Sequence, residues 1–179
     1  MKKQIIIAKI GEYMKYIKEN FNYLLFSFFL ISIFFWFVEI GYSLIIRHKL
    51  VFPGAWYGPY CPIYGFTFFI IYLVFRKEDH ILINIIRIAI TVTVMEYIIS
   101  FISDTFYHHI IWDYSNKFMN LNGRVCLEMS TIFTITGILS MYTIVPVTKY
   151  LYQKLEKNVT YINIILSIFM AIDMIITLT

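Results

Sequence analysis

Long apolar runs, broken by short charged or turn-rich segments, dominate this chain. Five runs stand out: Tyr23 to Ile46, Pro62 to Phe75, Ile81 to Ser103, Val125 to Val147 and Val159 to Leu178. A helix needs roughly 20 apolar residues to cross a bilayer, with a range of about 17–25, and four of the five reach that length. The run from 62 to 75 reaches it only if the aromatic stretch ahead of it is also embedded. That stretch, Gly54 to Gly65, reads GAWYGPYCPIYG and predicts an irregular loop dipping into the membrane, which is allowed only where protein or water covers its backbone. Spans in hydrocarbon must satisfy their own backbone groups. The expected fold is therefore all-α: a polytopic transmembrane helix bundle of about five spans with a re-entrant Gly/Pro/aromatic loop.

Residues 1–22 precede the first run, leaving 23–179 as the transmembrane helical domain. Ile6, Ile10, Met14 and Ile17 recur at spacings of three and four, with Lys2, Lys9 and Lys15 largely elsewhere, which predicts an amphipathic cytoplasmic helix. A simple positively charged anchor is the plainer alternative. The apolar run that follows is too long for a signal peptide, and no small-residue cleavage site comes after it.

Composition agrees with the pattern. The 179 residues are 60% hydrophobic, against about 45–50% for globular domains, and the length leaves no room for a second soluble domain. With the N-terminus inside, cytoplasmic segments hold Lys2, Lys3, Lys9, Lys15, Lys18, Arg76, Lys77, Lys149, Lys154 and Lys157, while external ones hold Arg47, Lys49, Lys117 and Arg124. This asymmetry predicts N-in, C-out under the positive-inside rule, and inverts after the second segment if that segment does not cross. The lysines flank spans, so the net charge of +4 needs no nucleic-acid partner. The chain belongs in a cell membrane as a multi-pass protein, with the lipid bilayer as its first partner.

Glu39, Glu96 and Glu128 interrupt three different apolar runs. A carboxylate in hydrocarbon costs several kcal/mol unless it finds a partner or water, so the three predict a shared polar chamber. Under the N-in topology all three, and Asp173, fall in outer halves of their spans, which predicts a pocket opening outward. Glu96, Ser100 and Asp104 at i, i+4 and i+8 stack on one helix face, able to bind a cation, relay a proton or glue helices together. Arg124 stands four residues before Glu128, so an intrahelical pair is one reading. Neutralising Glu39 or Glu96, or an anionic ligand, is the other.

Asp113, Ser115, Asn120, Asn122 and Gly123 are turn and cap residues of the external loop. Trp56, Trp112 and many tyrosines read as an interfacial aromatic belt. His108 and His109 are adjacent and cannot both face one site in a regular element, so no metal site is assigned. Cys61 and Cys126 lie near the outer surface, as a disulfide or as free buried thiols. No phosphate loop, nucleotide fingerprint, zinc-protease motif or nucleophile elbow is present, and no cofactor is assigned.

Five blocks occur in order: Trp36-x-x-Glu39, Gly58-Pro59-x-x-Pro62-Ile63-Tyr64-Gly65, Glu96-Tyr97-x-x-Ser100, Trp112-Asp113-Tyr114-Ser115 and Asn122-Gly123-Arg124-Val125-Cys126-Leu127. Over roughly Trp36 to Pro146 the chain resembles the bacterial ABC-transporter type IV, or CmpB-like permease, family. Two departures stand out. Arg47-His48-Lys49 and Pro53-Gly54 occupy a region where the family tends to carry Asn-Arg-Gly, and Asp104 replaces an expected Glu. The resemblance implies transport, with a separate ATPase, other membrane subunits or a homo-oligomer completing the path.

Three functions follow. The first is a permease or transporter subunit with an outward-facing, carboxylate-lined pocket, formed by Glu39, Glu96, Ser100, Asp104, Asp113, Arg124 and Glu128. Gly58, Pro59, Pro62, Tyr64, Gly65, Trp112, Tyr114, Asn122 and Gly123 would shape its loops. The second is a membrane-embedded enzyme acting on a lipid or lipid-linked substrate at the outer leaflet, with Glu96 or Asp104 as base and Arg124 holding an anionic headgroup. The third is a non-catalytic assembly partner. No covalent nucleophile with a placed base is evident, which weighs against an enzyme.

Overall fold

A computed structural model describes residues 2–54 and 56–178. Seven helices follow in order: α1 (Lys2–Glu19), α2 (Phe21–Arg47), α3 (Pro62–Val74), α4 (Ile81–Tyr107), α5 (Leu127–Tyr142), α6 (Ile144–Lys154) and α7 (Glu156–Leu178). The described residues form no strand, only one isolated bridge between Leu121 and Val125. The all-α membrane bundle expected from the sequence is the fold observed. Neighbours pack in the row α7, α2, α3, α4, α5, and α6 leans back on α2. The core lies at the centre of this row, where Ile31, Phe68, Ile71, Ile88, Val92, Met141 and Val145 interlock.

The spans differ in kind. Helices α2, α4 and α7 are each long and apolar enough to cross a membrane, and α5 with α6, bent by 42° at their junction, would make a fourth if the pair is one span. Pro146 accounts for the break, because it offers no N–H to the Tyr142 carbonyl one turn back. Their outward faces, with Phe37, Ile90 and Phe169, are exposed, as surfaces solvated by lipid tails should be. Helix α3 has only 13 residues, about 20 Å at 1.5 Å per residue, against roughly 30 Å of hydrocarbon.

Contacts with α2 fix how deep α3 lies. Just before α3, the Cys61 N–H donates to the Ser32 carbonyl in the middle of α2 (3.0 Å). At the other end, Tyr72 meets Tyr23 near the start of α2 edge-on, and its hydroxyl lies 3.1 Å from that of Tyr16. So α3 runs beside only the N-terminal half of α2, and loop residues such as Phe52, stacked on Trp36, lie along its C-terminal half. The Gly54 to Gly65 stretch is thus part loop and part helix, since α3 already begins at Pro62. Gly65 lets α3 press against α2, since a Cβ there would run into the Phe28 ring and the Ser32 hydroxyl.

Asp173 of α7 holds the descending loop. Its carboxylate accepts from the Tyr57 N–H (3.1 Å), the Gly58 N–H (2.9 Å) and the Tyr60 hydroxyl (2.5 Å). Non-helical backbone at membrane depth needs such partners.

Helix α5 also starts deep. Gly137 packs on Ile88 of α4 and Ile71 of α3. Counting outward from that crossing, Leu127 comes level with Ile98, and Pro62 comes level with Tyr97. Both inward-running helices therefore begin at one depth, beside Glu96.

The C-terminal ends of α2 and α4 carry the same kind of cap. His48 and His108 adopt the left-handed conformation at φ 52, and their N–H groups bond the Ser43 and Ser103 carbonyls. The Ser43 and Ser103 hydroxyls donate to the carbonyls of Lys49 and His109, at 3.0 and 2.7 Å. Helix-end carbonyls are thereby satisfied, and His108 has a structural role. Helix α4 consequently runs a turn beyond the apolar run that predicted it.

At the N-terminal end of α4, the Asn84 amide donates to the Arg76 carbonyl (2.7 Å), and its oxygen accepts the Arg76 N–H (3.1 Å). Arg76 also donates to the Tyr13 hydroxyl of α1 (3.1 Å). Ile10 and Met14 of α1 remain exposed, in keeping with a helix lying in the interface. The side chains of Lys2, Ile6, Lys9 and Arg47 lie outside the described residues.

Candidate functional site

Every fourth residue of α4 from Asn84 through Ile88, Val92 and Glu96 to Ser100 is buried, so the sequence-predicted stack faces the bundle. Glu96 is only 3% exposed. On the facing side, α2 presents Glu39, whose carboxylate accepts the Tyr64 hydroxyl of α3. The Tyr64 ring stacks on Phe35, one turn below Glu39, at 4.9 Å. Cα–Cβ bonds tilt toward helix N-termini, which brings a Glu from outgoing α2 and a Tyr from ingoing α3 together despite their different Cα depths.

The fourth group comes from the outer loop, residues 108–126. Asp113 accepts from the Ser115 N–H (2.8 Å) and hydroxyl (2.5 Å), folding an Asx turn. The Tyr114 N–H donates to the Gly123 carbonyl (2.8 Å), and the Trp112 indole donates to the Arg124 carbonyl (2.8 Å). Gly123 sits at φ 67, where a Cβ would come within 2.7 Å of Asp113 Oδ1. Asn122, also left-handed at φ 53, donates to the Tyr97 hydroxyl (2.9 Å).

This loop sends Tyr114 down among the carboxylates. Its hydroxyl lies within electrostatic reach of Glu96, Cys126 and Glu39. The phenol approaches the Glu96 carboxyl, yet neither buried Glu96 oxygen has a hydrogen-bond partner of standard geometry. Cys61, close enough to Glu39 to feel its charge, and Cys126 are free buried thiols.

The remaining predicted residues fall elsewhere. Arg124 bonds Asp104 (2.6 Å) and the Ser100 carbonyl (2.9 Å). It pairs with neither Glu128 nor Glu39 nor Glu96. The intrahelical reading fails because α5 begins only at Leu127, leaving Arg124 in a turn closed by its N–H on the Leu121 carbonyl (3.0 Å), where i, i+4 helical geometry does not exist. Glu128 faces out, half exposed, and pairs with Lys117 (2.9 Å). Asp113 shapes a turn. Gly58 and Pro59 belong to the loop held by Asp173, and Pro62, Tyr64 and Gly65 belong to α3 rather than to a loop.

Two open crevices lie on the α7 side. One, of about 460 Å³, is bounded by Ile33, Tyr57, Tyr60 and Asp173. The other, of about 430 Å³, is bounded by Leu24, Phe28, Trp56 and Met170. Neither is lined by Glu39 or Glu96. Asp173 is the polar residue of greatest consequence that the sequence reading left unassigned. Its signal was a lone acid in the last apolar run.

A family model described as "Putative ABC-transporter type IV" matches residues 26–178. No curated protein and no solved structure matches the chain.

Proposed function

The chain belongs to that ABC-transporter type IV family, and from this membership we propose that it is a transporter's membrane subunit whose polar site takes a cation or a proton. Two carboxylates from separate helices, each faced by a tyrosine hydroxyl, form the site: Glu39 with Tyr64, and Glu96 with Tyr114. The observation carrying this reading is Glu96. It is almost fully buried, forms no ion pair among the described residues and has no bonded partner on either oxygen. Leaving a buried carboxyl in that state costs at least about 1–3 kcal/mol, a cost a ligand would offset. Intramembrane ionisable groups are functional candidates for this reason.

The enzyme alternative needs Arg124 to receive an anionic headgroup, and Arg124 is committed to Asp104 and Ser100. The site faces outward under the N-in topology. ATP-driven transport would place the ATPase on another chain.

The test is purification in mild detergent followed by native mass spectrometry, alongside the Glu96→Gln variant. An ATPase or a second membrane subunit co-purifying with both proteins supports the subunit reading. A lone chain carrying one defined lipid in fixed stoichiometry would overturn it. Loss of Glu96→Gln from the membrane would assign Glu96 to structure instead.

A further inference from the structure

Tyr114 is the one member of the four-residue cluster that reaches it from a loop, and the charges of both carboxylates reach its hydroxyl. It arrives at Glu96 without satisfying either oxygen. A donor that only half meets its acceptor is a weak occupant, and a better donor displaces it. Resting on the cation reading above, we propose that Tyr114 stands in for a ligand, and that the ligand is a protonated amine whose N–H groups replace the phenol beside Glu96.

Charge and lining together select this class. The nearby cations Arg124 and Lys117 are tied to Asp104 and Glu128, so neither of them competes for Glu96. A hard divalent ion requires six or more oxygen ligands, and the described residues contain no group of three His, Cys, Asp or Glu able to hold a metal. An ammonium group needs only two or three acceptors and is at ease against aromatic faces. Tyr64, stacked on Phe35, and Tyr114 itself supply such faces.

Trp112 provides the readout, because its ring stacks on Tyr114 at 6.4 Å. In a Trp36→Phe/Trp56→Phe background, Trp112 is the remaining indole. The experiment titrates purified full-length protein with 2-phenylethylammonium, with neutral 2-phenylethanol as the shape control and with Na⁺, Ca²⁺ and pH as separate arms.

A saturable change in Trp112 emission with the amine, absent with the alcohol, is expected. Glu96→Gln should weaken the amine about tenfold or more by removing a charge-assisted acceptor. Tyr114→Phe should tighten it about threefold by removing the competing donor. Equal response to the alcohol, or full binding by Glu96→Gln, overturns the proposal. So does Tyr114→Phe binding as weakly as the parent. Response to metal ions or protons but not to the amine overturns the ammonium class and leaves the cation reading standing. Silence in every arm overturns both.

Discussion

Replacing Asp173 should release the descending loop while leaving the helices in place. Its carboxylate is 9% exposed and accepts three hydrogen bonds, two from backbone N–H groups and one from Tyr60. A hydrogen bond to a charged group contributes about 1.5–3 kcal/mol. Because three bonds to one acceptor are not additive, Asp173→Ala is expected to cost about 3–5 kcal/mol. Asp173→Asn retains one carbonyl acceptor and turns an amide NH₂ toward a donor, so about 1.5–3 kcal/mol is expected. The assay is hydrogen exchange by mass spectrometry on detergent-purified protein, read at the Tyr57 and Gly58 amides, with thermal unfolding alongside. A double-mutant cycle of Asp173→Asn with Tyr60→Phe should show coupling above about 0.5 kcal/mol, since the two groups touch. Unchanged exchange at Tyr57 and Gly58 in Asp173→Ala would refute the idea that this carboxylate holds the loop at depth.

Gly65→Ala should destabilise by about 1–3 kcal/mol through overpacking against Phe28 and Ser32, read as a lowered unfolding midpoint, whereas Gly11→Ala, with open space around it, should not. Arg124→Lys should loosen the outer loop, because one ammonium cannot serve Asp104 and the Ser100 carbonyl in the guanidinium's geometry; faster exchange at residues 112–124 checks this. The Asp113 carboxyl lies below its usual value of 3.8, first through the Ser115 hydroxyl and then through the Ser115 N–H. A lowered folded value means the turn's contribution is complete above pH 3.8 and is lost as pH falls through the lowered value. Trp112 emission should therefore hold through mildly acidic pH and change only below that range.

The helices and the α4 face were legible because apolar length and a spacing of four are properties of the chain itself. Glu96 and Ser100 are buried where the spacing put them. Depth was not legible. Hydropathy counts apolar residues but does not say where along α2 the short run from Pro62 begins, and only the Cys61–Ser32 contact and the Tyr72 end fix that. Partners were not legible either. Arg124 precedes the first helical residue of α5, so its reach to Asp104 depends on loop geometry set by Asn122 and Gly123, whose positive φ values no periodicity reports. Asp173 was visible as an acid in an outer half-span. Its partners are mostly backbone N–H groups, which are identical at every position and leave no trace in the residue pattern.

Because α3 and α5 both begin near the depth of Tyr97 and Ile98, the two faces of the bundle resist opening very differently. Parting it from the inside means separating close-packed helices across Ile71, Ile88 and Gly137, where even one added methyl group has no room. At the opposite end, α3 and α5 are preceded by loops rather than by further helix. Two loop segments lie there, one bonded to Asp173 of α7 and the other tied to α4 through Arg124 and Asp104. Packed helices therefore close one end of the bundle, while loops rather than helices lie over Glu96 at the other.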